Sequence, residues 1–365
     1  MAKRPKPEPE NGPQDSKKGR PKNGKKAAKA DAEKKRRGAA DRLAEGGLSF
    51  ERPILEMEHK IQELKTLASS TKLNLNGEVV ALEDRLAKVT GDVYSGLTAW
   101  ERVCVARHPA RPVASDYIAQ MLDDFVELHG DRLFADDQAI VTGLATVAGR
   151  RFLMIAHRKG KTVKERVLCN FACAHPEGYR KALEKMRFAE KFGIPIVTLI
   201  NTPGAYPGIG AEERGQARAI ALNIREMFSI RVPILSLVIG EGGSGGALGI
   251  AVGDRVATLE HAYYSVISPE GCAAILWKSG EKAPEAAAAL RLTAPDLLKN
   301  GIVDDVIPEP LGGAHRHPEA TIANVRNWIL DWLDRLSPLA PEELLQRRYE
   351  RFRAMGQVEE GQVDE

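Results

Sequence analysis

Two stretches in the first third of the chain repeat apolar residues at spacings of three and four. In the first stretch they are Ile54, Met57, Ile61, Leu64 and Ala68. In the second they are Val79, Leu82, Leu86, Val89 and Val93. This period places the apolar side chains on one face of a helix, and residues 74–77 carry a turn signal between the two. The pattern predicts a helical hairpin whose apolar stripe packs either on the rest of the chain or on a partner subunit.

A strand, a glycine-rich loop and a helix follow one another twice in the middle of the chain. The first unit has an apolar run at 194–200, a Gly/Pro-rich loop at 201–210 and a helical segment at 211–228. The second has an apolar run at 232–239, the loop GEGGSGG at 240–246 and a helix from Ala247. Consecutive units of this kind predict stacked layers of an α/β fold, with both loops at the carboxyl ends of strands, where such folds bind ligands.

The remaining pattern predicts shorter elements around these two units. Apolar runs predict strands at 139–148, 152–156, 256–259, 264–267 and 302–307. Helices are predicted to begin at Pro176, at Ser268-Pro269 and at Pro341, since Ser caps helices and Pro suits a first turn. We expect four parts, which are a basic disordered tail (1–48), the hairpin (49–110), the main α/β domain (111–337) and a C-terminal helix and tail (338–365).

Charge separates the tail from the rest of the chain. Residues 1–40 hold 14 Lys+Arg against 5 Asp+Glu, which gives +9, and the chain as a whole carries +3. A basic segment without aromatic residues buries too little apolar surface to order itself, so we expect disorder. Its simplest role is a solubilising extension. The alternative is weak nucleic-acid contact through residues 1–40 by counterion release.

The cysteine pattern and the hydropathy of the sequence argue against a metal-binding protein and against a membrane-spanning one. The four cysteines form no CxxC pair, and Cys169, Cys173 and His175 have only a loose metal-like spacing without a second cluster. We therefore expect core thiols, no metal site and a cytoplasmic location. No apolar run approaches the roughly 20 residues that span a bilayer, so no membrane crossing is expected.

The loop at 240–246 matches several short motifs at once. It satisfies GxGxxG, with Glu260 about 20 residues on as a ribose-binding acid would be, and it also satisfies GxSxG around Ser244. A hydrolase would need a histidine beside Ser244, for which His175 and His261 are candidates. Glycines at the start of a helix expose backbone N–H groups to a ligand, so all these alternatives share an anion-binding site.

Longer strings in the chain resemble the alpha carboxyltransferase subunits of bacterial acetyl-CoA carboxylases. They are 202–208 (TPGAYPG), 210–216 (GAEERGQ), 238–248 (VIGEGGSGGAL), 264–271 (YSVISPEG), 275–279 (ILWKS) and 307–316 (IPEPLGGAHR). The resemblance runs from about residue 50 to residue 355. The basic tail, Cys169 and Cys173 depart from the family pattern.

The resemblance implies a crotonase-like (ClpP/crotonase) superhelix of repeated ββα units. It implies transfer of the carboxyl group from carboxybiotin, on the biotin carboxyl carrier protein, to acetyl-CoA, which gives malonyl-CoA for fatty acid biosynthesis. The implied partners are a homologous beta subunit in an α2β2 assembly, the carrier protein and biotin carboxylase. Zinc is expected in the beta subunit only, and ATP is used by the biotin carboxylase. The alternatives are propionyl-CoA or another acyl-CoA as acceptor, or a single-chain crotonase-like acyl-CoA enzyme.

The resemblance also implies two oxyanion holes, one in each subunit. In this chain we assign one to the backbone N–H groups of Gly245 and Gly246, which are the predicted catalytic groups. No side-chain general base is required if the biotin nitrogen takes the proton. The predicted carboxybiotin pocket consists of Gly204, Ala205, Tyr206, Pro207, Gly208, Gly210, Gly242 and Gly243.

Overall fold

A computed structural model describes residues 47–71 and 75–356 of the chain. The predicted basic tail, with its nucleic-acid contact, lies outside these residues except for Gly47 and Leu48. The chain from Leu48 onward forms one unit. No helix in the described part of the chain combines the length and the apolar character needed to cross a membrane.

The first elements are helical. A 3-10 turn (Ser49–Glu51) leads into α1 (Arg52–Thr71) and α2 (Asn76–Ser95), followed by α3 (Ala99–Ala106) and α4 (Ala114–Met121). The start of α3 is fixed by a capping box, in which the Glu101 N–H donates to the Thr98 hydroxyl and the Thr98 N–H donates to the Glu101 carboxylate. The predicted hairpin helices are therefore present, and Pro53 lies in the first turn of α1.

An eight-stranded sheet forms the centre of the molecule. Its strands are β1 (Asp124–Glu127), β2 (Ile140–Val147), β3 (Arg150–His157), β4 (Ile196–Thr202), β5 (Ile234–Gly243), β6 (Arg255–Leu259), β7 (Tyr263–Ser265) and β8 (Asp305–Ile307). The order is β1-β2-β3-β4-β5-β6-β8, and β7 pairs with the end of β5. The first three strands are antiparallel, and the pairs from β3 onward are parallel.

The remaining helices connect and flank these strands. They are α5 (Val163–Leu168), α6 (Pro176–Lys191), α7 (Ile209–Glu213), α8 (Gln216–Met227), α9 (Ser244–Leu248), α10 (Pro269–Leu276), α11 (Ala283–Ala289), α12 (Ala294–Lys299), α13 (Pro318–Leu336) and α14 (Pro341–Arg353). Two further 3-10 turns lie at Asn170–Ala172 and Gly280–Lys282. The sequence analysis did not predict α13, whose apolar face packs on the core through Ile322, Val325, Ile329 and Leu333.

Two predicted boundaries are wrong. The stretch 240–246 was expected to be a loop, but β5 continues to Gly243 because Glu241, Gly242 and Gly243 pair with β7. The expected single helix over 211–228 is two helices, since Gly215 between α7 and α8 has a left-handed φ of 83°. Glycine reaches that region without the penalty that a side chain would add.

The base of the hairpin packs on the rest of the chain. Ile54 is buried with Tyr94. The Tyr94 hydroxyl donates to the Glu51 carboxylate, which also lies 3.0 Å from Nε2 of His315 in the loop before α13. Arg316 of the same loop contacts Glu58 of α1. This part of the apolar stripe therefore belongs to the chain's own core.

The last helix is also part of the core. Arg348 of α14 is fully buried, and its guanidinium donates to both carboxylate oxygens of Asp254, at 2.9 and 2.7 Å. It also donates to the carbonyl oxygens of Met227, Ile230 and Val232. One side chain near the end of the chain thus satisfies the end of α8 and the segment that leads into β5.

Candidate functional site

The two glycine-rich segments meet at the carboxyl ends of β4 and β5. These strands are parallel neighbours, with Ile196 opposite Ile234, so their ends lie at the same edge of the sheet. A Cβ added to Gly243 would lie within 3.0 Å of the Pro203 backbone, and one added to Gly246 would come equally close to the backbone of Gly204 and Ala205. Only glycine fits at such distances, so this contact requires glycine at positions 243 and 246.

Helix α9 begins directly beside this contact. Ser244 makes the sharp strand-to-helix turn with a left-handed φ of 55°, and the preceding Gly243 has no side chain to cap the helix. The N–H groups of Gly245 and Gly246 belong to the first turn and have no partner inside the helix. Such first-turn N–H groups can donate to an oxygen that becomes negative during a reaction.

An apolar cavity of about 270 Å³ opens next to Gly245. It is lined by Ser244, Leu248, Tyr264, Val266, Phe352 and Met355, among others. Arg351 supplies its charged wall and pairs with Asp304 at 2.7 Å. A mostly apolar cavity with a few directed donors is the usual form of a small-molecule site.

The other predicted pocket residues occupy two different environments. Gly242 faces Tyr264 of β7, so it packs inside the sheet rather than beside the cavity. Tyr206 stacks on His175, with ring centroids 4.1 Å apart and ring planes inclined by 25°. Gly208 lies against the Tyr206 ring, because a Cβ there would come within 3.0 Å of Cε1. The loop after β4 therefore presents a fixed aromatic ring.

A buried carboxylate that the sequence analysis did not single out ties the end of β5 to its neighbours. Arg107 Nε donates to Glu241 at 2.7 Å, the Tyr263 hydroxyl donates to it at 2.9 Å, and Lys159 contacts its second oxygen. Burial by itself would raise the pKa of Glu241, but Lys159 and Arg107 outweigh that effect and hold the pKa below its usual range. Glu241 is therefore ionised, and its network fixes the strand that leads into α9.

The chain's relatives show the family to which it belongs. A family of proteins described as acetyl co-enzyme A carboxylase carboxyltransferase-like matches residues 47–356. The chain belongs to this family. It is 52% identical over 309 residues to the acetyl-coenzyme A carboxylase carboxyl transferase subunit alpha of Thermus thermophilus, which covers 85% of this chain and 98% of the relative. The corresponding subunit of Geobacter metallireducens is 52% identical over 313 residues, covering 86% of this chain and 98% of the relative.

The carboxyltransferase fold is shared with a solved structure. The crystal structure of transcarboxylase 12S, with methylmalonyl-coenzyme A and methylmalonic acid bound, superimposes with a TM-score of 0.50 at 21% identity. The match covers 69% of this chain and 44% of the transcarboxylase chain. The expected crotonase-like α/β fold and the expected carboxyltransferase activity of an alpha subunit are thereby confirmed.

The two rival motif interpretations find no support around this carboxyltransferase site. Neither candidate histidine hydrogen-bonds to Ser244 among the described residues. His261 lies 3.0 Å from Arg102, and burial lowers its pKa to about 4, whereas His175 contacts Asp137. Glu260, the candidate ribose ligand, accepts the backbone N–H of Glu309.

Cys169 and Cys173 are free thiols in this fold. Burial raises the pKa of both, which disfavours the thiolate needed for metal binding or nucleophilic attack. Within residues 47–71 and 75–356, no group of three or more His, Cys, Asp or Glu side chains could hold a metal ion.

Proposed function

We propose that this chain supplies the carboxybiotin half of an acetyl-CoA carboxyltransferase site. The observation that carries the proposal is the contact between the Gly204 loop and the first turn of α9, where the N–H groups of Gly245 and Gly246 have no partner inside the helix and Gly245 borders an apolar cavity. The cavity of about 270 Å³ and its apolar walls suit a small bicyclic ring.

The residues would act through their backbone. Carboxybiotin supplies the carboxyl group, and its ring nitrogen takes the proton lost by the acetyl methyl group. The N–H groups of Gly245 and Gly246 would donate to the ureido oxygen as it gains negative charge. One such donor is worth roughly 3–4 kcal/mol of transition-state stabilisation. The predicted residues Gly204, Ala205, Tyr206, Pro207, Gly208 and Gly210 do not line this cavity. They would form a second wall of the biotin site, reached from the cavity across the contact between Gly204 and Gly246, whereas Gly242 and Gly243 would hold the two segments together.

The site would be completed by a second subunit. The chain exposes two groups of large apolar side chains, with Val163, Val167, Leu168 and Phe171 around α5 and Val266, Ile275, Leu276 and Trp277 around α10, and Val266 lines the cavity. Such surfaces favour a protein partner. We assign this role to a homologous, zinc-containing beta subunit in an α2β2 assembly, which would bind acetyl-CoA. The biotin carboxyl carrier protein would deliver the carboxyl group from an ATP-dependent biotin carboxylase, and we place the assembly in the cytoplasm.

The relatives named as acetyl-coenzyme A carboxylase subunits favour this function over two alternatives, which the experiment below also distinguishes. Propionyl-CoA or another acyl-CoA could replace acetyl-CoA as acceptor, because the residues that choose the acyl group would lie in the partner. A single-chain crotonase-like enzyme would instead act without a partner.

The first experiment measures malonyl-CoA formation from acetyl-CoA and carboxybiotin, with this chain alone and then with the beta subunit. We expect activity only in the mixture, and a lower rate with propionyl-CoA. Full activity of the chain alone would favour a single-chain enzyme. Absence of activity in a mixture that forms the complex would contradict the proposal.

A further inference from the structure

His175 is connected to a buried carboxylate at the start of α6. Its backbone N–H donates to Oδ2 of Asp137 at 2.9 Å, and its Nδ1 lies 3.2 Å from the same oxygen. The amide group of Asn170 lies 3.1 Å from Nδ1 as well. A carboxylate oxygen only accepts and an amide nitrogen only donates, so Asp137 holds the ring when Nδ1 carries a proton and Asn170 holds it when Nδ1 does not.

Asp137 is itself fixed by its surroundings. Its Oδ1 accepts the backbone N–H groups of Ala139 at 2.7 Å and Ile140 at 3.1 Å, and the side chain is almost fully buried. Gly178 leaves room for it, because a Cβ there would come within 3.0 Å of Oδ1. The carboxylate therefore gives His175 one orientation rather than several.

The His175 ring also stacks on the ring of Tyr206. Its ring is enclosed between the His175 ring, at a centroid distance of 4.1 Å, and the Cα of Gly208. Its backbone is held as well, because the Tyr206 N–H donates to the Ala174 carbonyl oxygen at 3.0 Å. The side-chain amide of Gln216 donates to the carbonyl oxygens of both Ala174 and Tyr206, at 2.8 and 3.0 Å.

From this geometry we infer that His175, oriented by Asp137, is a positioning residue of the carboxybiotin site and acts by holding the Tyr206 ring as one wall of the pocket. The inference rests on the function proposed above. The side chain of His175 is 24% exposed. In the described part of the chain, its Nε2 makes no hydrogen bond. The backbone contacts of Tyr206 do not involve the His175 ring, so the stacked contact is what the ring adds to the position of Tyr206.

The consequence is a selective effect on one substrate. A stacked aromatic pair contributes about 0.5–1.5 kcal/mol beyond its buried area, which corresponds to roughly a two- to tenfold change in an equilibrium constant. Loss of the His175 ring should therefore raise the KM for the biotin substrate by about that factor. The KM for the acyl-CoA substrate and kcat should change little, because the N–H groups of Gly245 and Gly246 stay in place.

The test uses the complete complex with the beta subunit in the reverse direction, with malonyl-CoA as donor and biocytin as acceptor. The variants are His175→Ala, which removes the ring, and His175→Phe, which keeps a ring that can stack. His59→Ala is the matched control, because His59 is an exposed histidine on α1. We expect a higher KM for biocytin in His175→Ala, a value near the original in His175→Phe, and no change in His59→Ala.

The possible results separate the inference from the function on which it rests. An unmodified complex that transfers no carboxyl group to biocytin would refute the proposed function. An active complex in which His175→Ala leaves the KM for biocytin unchanged would overturn the inference alone. Equal increases in both KM values would also overturn it, because they would indicate a general loss of structure. Thermal unfolding of each variant identifies that last outcome.

Discussion

Gly246 lies against Gly204 so closely that a Cβ on Gly246 would come within 3.0 Å of the Gly204 carbonyl carbon. The two residues follow different strands, and each backbone limits where the other can lie. The first turn of α9, with the proposed oxyanion donors, and the loop that carries Tyr206 are therefore set in place together. A change on either side should displace both.

The clearest test of this relationship replaces one glycine at a time. Gly246→Ala keeps the N–H group but forces the Gly204 loop away. The new Cβ would clash with backbone atoms of Gly204 and Ala205, which a side-chain rotation cannot relieve. We expect carboxyl transfer to fall by about 10²–10³-fold, which is the loss seen when one oxyanion donor is removed. The measurement is kcat of the assembled complex.

Gly245→Ala is the matched control for this substitution. A Cβ on Gly245 would meet only Ile220, at 3.8 Å, which is ordinary van der Waals contact. We expect kcat to fall far less than in Gly246→Ala. Equal losses in the two variants would contradict the role given to the Gly246–Gly204 contact.

Arg348 should be essential for stability rather than for catalysis. Arg348→Met leaves Asp254 ionised and buried and removes the donors to three carbonyl oxygens. Breaking a buried ion pair costs about 3–5 kcal/mol in the free energy of unfolding. Urea unfolding followed by circular dichroism measures the loss. Arg347→Met, at a half-exposed position on the same helix, should leave the midpoint nearly unchanged.

We expect the free energy of unfolding to decrease as the pH is lowered, over a range determined by the pKa values of three buried histidines. Burial lowers the pKa of His157 to about 3, and it lowers that of His108 and His261 to about 4. A histidine in the unfolded chain has a pKa near 6.5. Below that pH the unfolded chain therefore binds more protons than the folded chain, in which these histidines stay neutral. This contribution to stability is complete above pH 6.5 and is lost progressively as pH falls toward the folded values.

His157→Leu isolates one of these groups. Both ring nitrogens of His157 are buried without a hydrogen-bond partner in the described chain, so an apolar side chain of similar size should be tolerated. We expect the urea midpoint of the variant to decrease less than that of the original protein between pH 7 and pH 5. An identical pH slope in the two proteins would show that His157 has the same pKa in the folded and unfolded states.

We expect a substitution at Glu241 to lower both the stability and the activity of the protein. Glu241→Gln removes the charge that compensates Arg107 and Lys159, both of which are partly exposed, so we expect a loss of about 1–3 kcal/mol in the free energy of unfolding. Because the same strand leads into α9, kcat should fall as well. Glu213→Gln, on the exposed side of α7, should change neither quantity.

The parts of the fold that local pattern determines were predictable from the sequence. The apolar runs that became β4 and β5 are buried at every position, and Ser268 caps α10 as expected, with the Gly271 N–H donating to its hydroxyl. The extension of β5 through Gly243 was not predictable, because it depends on pairing with β7, about 20 residues later. Helix α13 was missed although its apolar residues are spaced three and four apart, which is a signal that the sequence does contain.

The candidate site was also only partly predictable from the sequence. The meeting of the two glycine segments follows from their shared position after parallel strands. The grouping of Asp137, His175 and Tyr206 does not, since these residues lie on three separate segments and only the folded backbone brings them together. The buried ion-pair network of Glu241 was not predicted for a related reason, because its partners Arg107 and Lys159 are distant in sequence.

The long separation in sequence between Arg348 and its acceptors bears on how a cell makes this protein. A ribosome releases the chain from its first residue, so the carbonyl oxygens of Met227, Ile230 and Val232 are synthesised more than a hundred residues before the side chain that satisfies them. Phe352 and Met355, which line the cavity beside Gly245, are made later still. A nascent chain that does not yet include Arg348 therefore leaves these three oxygens and the buried carboxylate of Asp254 without their donor, and it cannot form the cavity wall.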